Sequence, residues 1–159
     1  MPVIIDGYNL LHSIQKTDED FESISDVQLC WIVSRYLKMT RGNGEIIFDG
    51  IGPRDKSGFD NIENLEVLFV GLATDADTVI EDKIRINTAP KRLTIVSSDR
   101  RLRDAARARK AAAIKSQIFW NNLQKRLSRS RTIKEPAAKR LGLSNGETEQ
   151  WLKFFGLEK

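Results

Sequence analysis

Two hydrophobic patterns alternate along this chain. Short, almost wholly apolar runs are typical of strands that are covered on both faces of a parallel sheet, and the longer segments between them carry apolar residues at helical spacing. The predicted strands are Val3–Asp6, Glu45–Asp49, Leu65–Val70, Leu93–Ser97 and Ala111–Ile114. This alternation predicts βαβ units with right-handed crossovers, and therefore an α/β fold: a three-layer α/β/α sandwich around a central parallel sheet.

Capping residues mark the predicted helices between those strands. The predicted helices are Tyr8–Ile14, Ser25 or Asp26 to about Met39, Asp75 or Asp77 to Ile86, Ser98–Arg109, and Ser116 to about Leu127. The segments 15–22 and 50–62 are rich in polar residues or in Gly, Asp and Pro, and this composition favours loops.

The C-terminal part of the chain has a different composition. We predict one domain over residues 1–127, a basic linker over 128–140, and a short C-terminal helical extension over 141–159. Ser144 begins an S-x-x-E capping box, and the aromatic residues between 151 and 155 follow it. So short a helix is not stable alone, so we expect it to dock on its own domain, on another chain or on a partner, and favour the first.

Few residues in this chain carry catalytic chemistry other than carboxylates. The single cysteine, Cys30, excludes an intrachain disulfide framework, and its apolar neighbours predict a buried thiol. The single histidine, His12, makes a zinc site of histidine and cysteine untenable, and we expect it to have a local structural role. With no signal-peptide pattern and no apolar run long enough for a membrane span, the expected location is the cytoplasm, without membrane association.

Charge is unevenly distributed along the chain. Residues 1–99 hold 10 Lys/Arg and 17 Asp/Glu, a net charge of −7, whereas residues 100–159 hold 16 Lys/Arg and 5 Asp/Glu, a net charge of +11. The basic half is compatible with ordinary solvated helix faces, but it also suits a polyanionic partner.

Acidic residues follow the predicted strands. Asp6, Asp49 and Asp99 come at strand ends, and Asp77 lies shortly after the third strand. Ligands of open parallel sheets bind outside the carboxyl ends of the strands, and converging carboxylates suit Mg²⁺ or Mn²⁺. Such an ion supports phosphoryl transfer and phosphodiester hydrolysis.

Other polar residues accompany these acids. Asn9 can orient a metal-bound water or a phosphate oxygen, and Ser97 and Ser98 can contact phosphate or cap the next helix. Glu81 lies four residues after Asp77 and therefore shares its helix face. Four arginines are candidates for holding the phosphates of an RNA strand: Arg100, Arg101, Arg103 and Arg107.

Each motif alone is also typical of a turn or a helix cap, but four of them occur in order. These are Asp6-Gly7-Tyr8-Asn9, Phe48-Asp49-Gly50, Ala76-Asp77-x-x-Ile80-Glu81 and Ser97-Ser98-Asp99-Arg100. Over roughly residues 2–127 the set resembles the NYN domain family of the PIN-like nucleases, within it the YacP-like branch. The resemblance implies a PIN/FLAP-nuclease-like fold and metal-dependent endoribonuclease activity. It makes Asp6, Asp77 and Asp99 the metal-binding set, with Asn9 as their polar partner and Asp49 more peripheral.

The expected function is therefore metal-dependent hydrolysis of RNA, with Mg²⁺ or Mn²⁺ as cofactor and the ribosome as a candidate presenter of the substrate. One alternative is a non-catalytic RNA- or ribosome-binding module, which would retain binding without acids or metal. A second is a small-molecule phosphohydrolase, which the lack of an Asp-x-Asp motif after the first strand disfavours. The oligomeric state, the RNA preference and the number of ions stay open.

Overall fold

A computed structural model describes residues 2–134 of the chain and the side chains of residues 2–129. Among these residues, five strands form one parallel sheet in the order β3-β2-β1-β4-β5. The strands are β1 (Pro2–Asp6), β2 (Asn43–Phe48), β3 (Leu65–Phe69), β4 (Thr94–Val96) and β5 (Ala112–Ile114). In the central strand β1, Ile5 pairs with Ile46 of β2 on one side and with Val96 of β4 on the other.

Helices cover both faces of this sheet, which confirms the predicted three-layer α/β/α fold. They are α1 (Gly7–Thr17), α2 (Asp26–Met39), α3 (Ala76–Ile86), α4 (Arg100–Ala108) and α5 (Ser116–Lys134). Single 3₁₀ turns lie at Glu19–Phe21, Ser57–Phe59 and Pro90–Arg92. The α1, α2 and α5 helices share one apolar core with the sheet, and α3 and α4 share the other.

Alternation along each strand divides the strand residues between the two cores. Ile5 and Phe48 pack into the core under α1, α2 and α5, whereas Ile4, Ile47 and Ile95 pack into the core under α3 and α4. Successive side chains of a strand point to opposite faces. Asp6, Asp49 and Ser97 come two residues after Ile4, Ile47 and Ile95, respectively. Their side chains are therefore expected on the α3/α4 face.

Two helix starts confirm the predicted caps. Ser25 caps α2 in a reciprocal box: its hydroxyl accepts from the backbone N–H of Gln28 at 3.2 Å, and the Gln28 side chain accepts from the Ser25 N–H at 2.9 Å. Asp75 caps α3 by accepting from the Thr78 N–H at 2.7 Å. Each cap satisfies backbone donors that have no partner inside the helix.

Three predicted boundaries were wrong. The α1 helix begins directly at Gly7 and continues to Thr17, because Leu10, Leu11 and Ile14 are all buried against the sheet. The β2 strand begins at Asn43 rather than at Glu45, since Asn43 and Gly44 pair with Pro2 and Val3 of β1. The α5 helix continues to Lys134, past the predicted end at Leu127. The side chain of Leu127 is fully buried.

The loop over residues 50–62 is anchored on β3 and α2. The Trp31 indole donates to the Gly58 carbonyl at 3.1 Å, and the Phe59 ring meets the edge of the Phe69 ring with centroids 5.2 Å apart. Gly52 has a φ of +75° and lies so close to Phe69 that a Cβ atom would be 2.5 Å from the ring. Both its backbone conformation and its packing therefore require glycine.

Some predictions concern other parts of the chain. Cys30 is fully buried, as predicted. Within residues 2–134, every helix is too short or too polar to cross a membrane. The predicted remainder of the linker, the capping box at Ser144 and the aromatic segment at 151–155 lie outside the described residues.

Candidate active site

The carboxyl edge of the sheet gathers the acids that follow the strands. Asp6 is the last residue of β1 and is only 7% exposed. Asp49 directly follows β2 and is exposed, and Asp99 follows β4 after two serines and is half-buried. Since β1 lies between β2 and β4, Asp6 is the central acid of the group.

The first turn of α3 brings a fourth acid to this edge. An Asp49 carboxylate oxygen accepts from the backbone N–H of Ala76 at 2.6 Å, so it holds the start of α3 against the end of β2. Asp77 follows in the first helical turn and is half-buried. Asp75, the N-cap, is exposed and serves the helix end. The structure thus gives Asp75 the capping role and leaves Asp77 for the site.

Ser97 connects the acids of β1 and β4. Its hydroxyl donates to a carboxylate oxygen of Asp6 at 3.0 Å and accepts from the backbone N–H of Asp99, also at 3.0 Å. Ser97 is fully buried, so neither hydrogen bond competes with water. Asp99 in turn caps α4 by accepting from the Arg101 N–H at 2.8 Å. These bonds fix the relative positions of Asp6 and Asp99.

Burial and neighbouring acids disfavour the ionisation of Asp6 and Asp77. Burial raises the pKa of Asp6 from 3.8 to about 6; the hydrogen bond from Ser97 opposes this shift, and the charges of Asp77, Asp49 and Asp99 add to it. Burial also raises the pKa of Asp77, with the neighbouring Asp99 as the next cause. Perturbed carboxylates in a cluster of like charge are typical of functional sites.

One arginine reaches the cluster but is paired with another acid. The Arg101 guanidinium forms a salt bridge with Glu81, one helical turn after Asp77 on α3. Arg101 also favours the charged form of Asp77 and so lowers its pKa, but less than burial and Asp99 raise it. The salt bridge with Arg101 neutralises the charge of Glu81 and so reduces the repulsion expected between Asp77 and Glu81.

Asn9 ties three elements together beside the acids. Its side-chain oxygen accepts from the Ser98 backbone N–H at 2.9 Å and from the Ser116 hydroxyl at 2.6 Å, and the Ser116 N–H donates to the Ser98 hydroxyl at 3.2 Å. Sequence reasoning assigned Ser116 only a helix-capping role. Its contact with Asn9 spans 107 positions, and no local signal could have revealed it.

Gly7 is explained by packing rather than by a turn. A Cβ atom at this position would lie 2.4 Å from the Phe48 ring, closer than real atoms approach. The helix α1 can therefore begin immediately after Asp6 only if residue 7 has no side chain. This close start brings Asn9 to the same edge as Asp6.

The other candidate RNA-binding arginines lie along α4. Arg100 and Arg107 are exposed, and both lie near Asp104, at 3.9 and 3.8 Å. Arg103 is half-buried, and its Nε atom is buried without a hydrogen-bond partner among the described residues. The structure therefore brings Arg101 to Glu81 beside the acids, whereas Arg100 and Arg107 lie near Asp104.

The donor set fits a divalent cation in its chemistry. Carboxylate oxygens are the preferred ligands of Mg²⁺ and Mn²⁺. A cation between Asp6, Asp77 and Asp99 would favour the ionised forms of Asp6 and Asp77, whose pKa values are raised by burial and by neighbouring acids. Within residues 2–129, no three acidic, histidine or cysteine side chains are already arranged closely enough to hold one ion. Mg²⁺ commonly binds through one or two carboxylates and keeps several waters, so it does not need three protein ligands around one point.

Comparisons with known proteins agree with this architecture. The model of the YacP-like NYN domain matches residues 3–154. The crystal structure of Rae1 (YacP) from Bacillus subtilis aligns with a TM-score of 0.63 and 20% identity, covering 87% of this chain and 86% of that one. A single-substitution mutant of Rae1 aligns with a TM-score of 0.67 and 18% identity, covering 98% and 96%. No curated protein sequence matches the chain.

The family match places the chain in the PIN-like nuclease superfamily. The family match covers most of the sequence, and the chain belongs to the YacP-like NYN domain family. The resemblance inferred from the four sequence motifs is thereby confirmed. At 18–20% identity the structural neighbours show the fold alone.

Proposed function

We propose that the protein is a metal-dependent endoribonuclease that acts at the carboxyl edge of its sheet. The observation that carries this proposal is the cluster of Asp6, Asp49, Asp77 and Asp99 at one edge of the sheet, where burial, together with the charges of the other three acids, raises the pKa of Asp6 to about 6. A protein gains no stability from such repulsion, so the cluster calls for a functional cation. Membership of a PIN-like nuclease family makes RNA the proposed substrate.

Each polar residue has a proposed role in that reaction. Asp6, Asp77 and Asp99 would hold Mg²⁺ or Mn²⁺, which when bound supplies an activated water and offsets negative charge at the phosphate. Ser97 keeps Asp6 and Asp99 in register, and Asn9 anchors the loop before Asp99 to the start of α1.

The proposed reaction adds the oxygen of water to phosphorus and breaks the bond from phosphorus to the 3′ oxygen. The products are a 5′-phosphate and a 3′-hydroxyl. The chain's single cysteine is buried in the core and its single histidine is exposed on α1, so the proposal uses no covalent nucleophile.

Charge-neutral variants test the assignment. We expect Asp6→Asn, Asp77→Asn and Asp99→Asn each to lose roughly 100-fold or more of the cleavage rate, since loss of even an outer partner of a metal ligand costs 10–100-fold. Asp82→Asn is the matched control, because Asp82 is on α3 but pairs with Arg85 on the exposed face. The substrates are single-stranded RNA and ribosome-bound messenger RNA, each with Mg²⁺, Mn²⁺ or EDTA. An Asp77→Asn protein that cuts as fast as the parent would disprove the assignment.

A non-catalytic RNA- or ribosome-binding module is the second candidate. It is favoured by the lack, within residues 2–129, of any group of three acidic, histidine or cysteine side chains placed to hold one metal ion. This alternative predicts that RNA binding survives both EDTA and the three asparagine substitutions. Isothermal calorimetry with Mn²⁺ separates the two, because only the nuclease loses metal binding in the Asp6→Asn/Asp99→Asn protein.

A further inference from the structure

A row of three aromatic rings, Phe48, Tyr8 and His12, lies beside the acidic edge and has no role in the chemistry above. The Tyr8 ring, in the first turn of α1, has its centroid 4.8 Å from that of Phe48 and 5.8 Å from that of His12. The Tyr8 and His12 rings are stacked, with 16° between their planes. Phe48 is fully buried, Tyr8 is half-buried and His12 is exposed, so the aromatic row leads from the core to the surface.

Packing holds the inner end of the aromatic row in place. Phe48 stacks on Phe69, with centroids 5.2 Å apart and 18° between the ring planes. The same Phe48 ring lies so close to Gly7 that it fixes where α1 begins, and hence where Tyr8 lies. A surface whose position is already set by packing loses little conformational freedom when a ligand binds to it.

The aromatic row begins at the acids of the site. Tyr8 comes two residues after Asp6, and burial, followed by the charges of Asp26 and Asp49, raises the pKa of Tyr8. The Tyr8 side chain is therefore within electrostatic reach of Asp49. His12 lies about 6 Å further along the axis of α1, away from the strand ends. A ligand with a phosphate at the acids can thus place a neighbouring flat group on these rings.

An unpaired nucleobase suits this position by its shape and its chemistry. It is a flat ring system on the sugar-phosphate backbone that the acids are proposed to bind, and proteins that read single-stranded RNA stack such bases on Tyr and His rings. We propose that His12 and Tyr8 form a stacking platform for one unpaired base of the RNA strand whose phosphate lies at the acids. This inference rests on the proposed function. It makes single-stranded RNA the substrate class, because paired bases do not expose their faces.

The test measures RNA binding without cleavage, in the full chain carrying Asp77→Asn. Fluorescence anisotropy compares this parent with its His12→Ala variant on a short single-stranded RNA and on a ribose-phosphate strand of the same length without bases. We expect His12→Ala to bind the RNA at least about fivefold more weakly, the lower end for loss of one base–aromatic stack. On the strand without bases, the variant and its parent should bind equally. Because His12 is exposed, its substitution should leave the fold intact, which circular dichroism checks.

Two further substitutions of His12 separate a ring from a positive charge. His12→Phe keeps a flat ring and should bind the RNA within about twofold of the parent, whereas His12→Lys keeps only a charge and should bind as weakly as His12→Ala. Ring pairs four residues apart also stabilise a helix, but that effect does not depend on whether the ligand carries bases.

The two tyrosines of the chain provide a matched control. Tyr36 is also half-buried and also contacts a phenylalanine, since its ring meets the edge of Phe119 with centroids 5.7 Å apart. It lies near the end of α2, which leads to the start of β2 at the opposite edge of the sheet. Tyr8→Leu should therefore weaken RNA binding as His12→Ala does, whereas Tyr36→Leu should bind like the parent.

Several results would overturn the platform. They are unchanged RNA binding by His12→Ala, an equal loss on the strand without bases, rescue by lysine but not by phenylalanine, and equal losses in Tyr8→Leu and Tyr36→Leu. A parent that binds no RNA at all would also refute it. The proposed function fails on separate evidence, namely unchanged cleavage by the aspartate variants.

Discussion

The two faces of the sheet differ most where the strands end. On the face under α1, α2 and α5, apolar packing continues to the end of β2, where the buried Phe48 ring contacts Tyr8 and Phe69 with centroids 4.8 and 5.2 Å apart. On the face under α3 and α4, the same level is occupied by Asp6, Asp49 and Ser97. Because successive side chains of a strand point to opposite faces, neighbouring residues at the strand ends lie on an apolar, packed edge and on a charged edge.

At the strand ends, this contrast separates apolar packing from the acids of the proposed site. The packed face gains free energy from burial of aromatic rings, whereas the charged face costs free energy, because burial and neighbouring charges disfavour the ionised form of Asp6. Substitutions of Phe48 and of Asp6, at the strand ends of the two faces, should therefore have opposite effects on the free energy of unfolding.

The largest expected effect is on the packed face. Phe48→Ala should lower the free energy of unfolding by about 3–5 kcal/mol, because it removes a fully buried ring and leaves a cavity. Urea denaturation monitored by circular dichroism measures the change. Leu68→Ala on the neighbouring strand is the control and should cost much less, since Leu68 is partly exposed. Equal losses in the two variants would contradict the assignment of stability to this face.

On the charged face, the effect should depend on pH and have the opposite sign. The pKa of Asp6 is raised from 3.8 to about 6, so between these values the folded protein binds the proton more tightly than the unfolded chain. Raising the pH through this window should therefore lower the free energy of unfolding, by up to about 3 kcal/mol, with the full cost present above pH 6 and absent below about pH 4.

Asp6→Asn isolates that contribution from the other carboxylates. In EDTA at pH 7 we expect the variant to be more stable than the parent, and the difference between them to vanish as the pH falls to about 4. Thermal unfolding at a series of pH values measures it. A parent and variant with parallel pH profiles would mean that ionised Asp6 costs nothing. Mn²⁺ should reduce the difference in stability between the parent and the variant at pH 7, since a bound cation stabilises the parent.

The smallest effect is expected at the hydrogen bond between Ser116 and Asn9, which joins the starts of α5 and α1. Ser116→Ala removes the hydroxyl that donates to Asn9 and should cost about 1 kcal/mol of stability. If Asn9 positions the loop before Asp99, the cleavage rate should fall with little change in KM, and Ser116→Thr should restore it. A loss of stability without any change in rate would restrict Ser116 to a structural role.

Local sequence signals predicted much of the fold. Alternating apolar runs located all five described strands, and the caps at Ser25 and Asp75 located two helix starts, because both signals depend on residues a few positions apart. The C-terminal ends of α1 and α5 were not predicted, because their last residues are mostly polar and gave no apolar helical pattern. Packing overrides weak local preference in such segments.

The sequence by itself determined that acids follow the strands, and hence that they gather at the carboxyl edge of a parallel sheet. Only the tertiary structure decided which of them meet. The strand order places Asp6 between β2 and β4, the Asp49 carboxylate holds the start of α3, and Ser116 reaches Asn9 across 107 positions. The raised pKa of Asp6 is likewise a tertiary property, because burial and the charges of distant residues cause it.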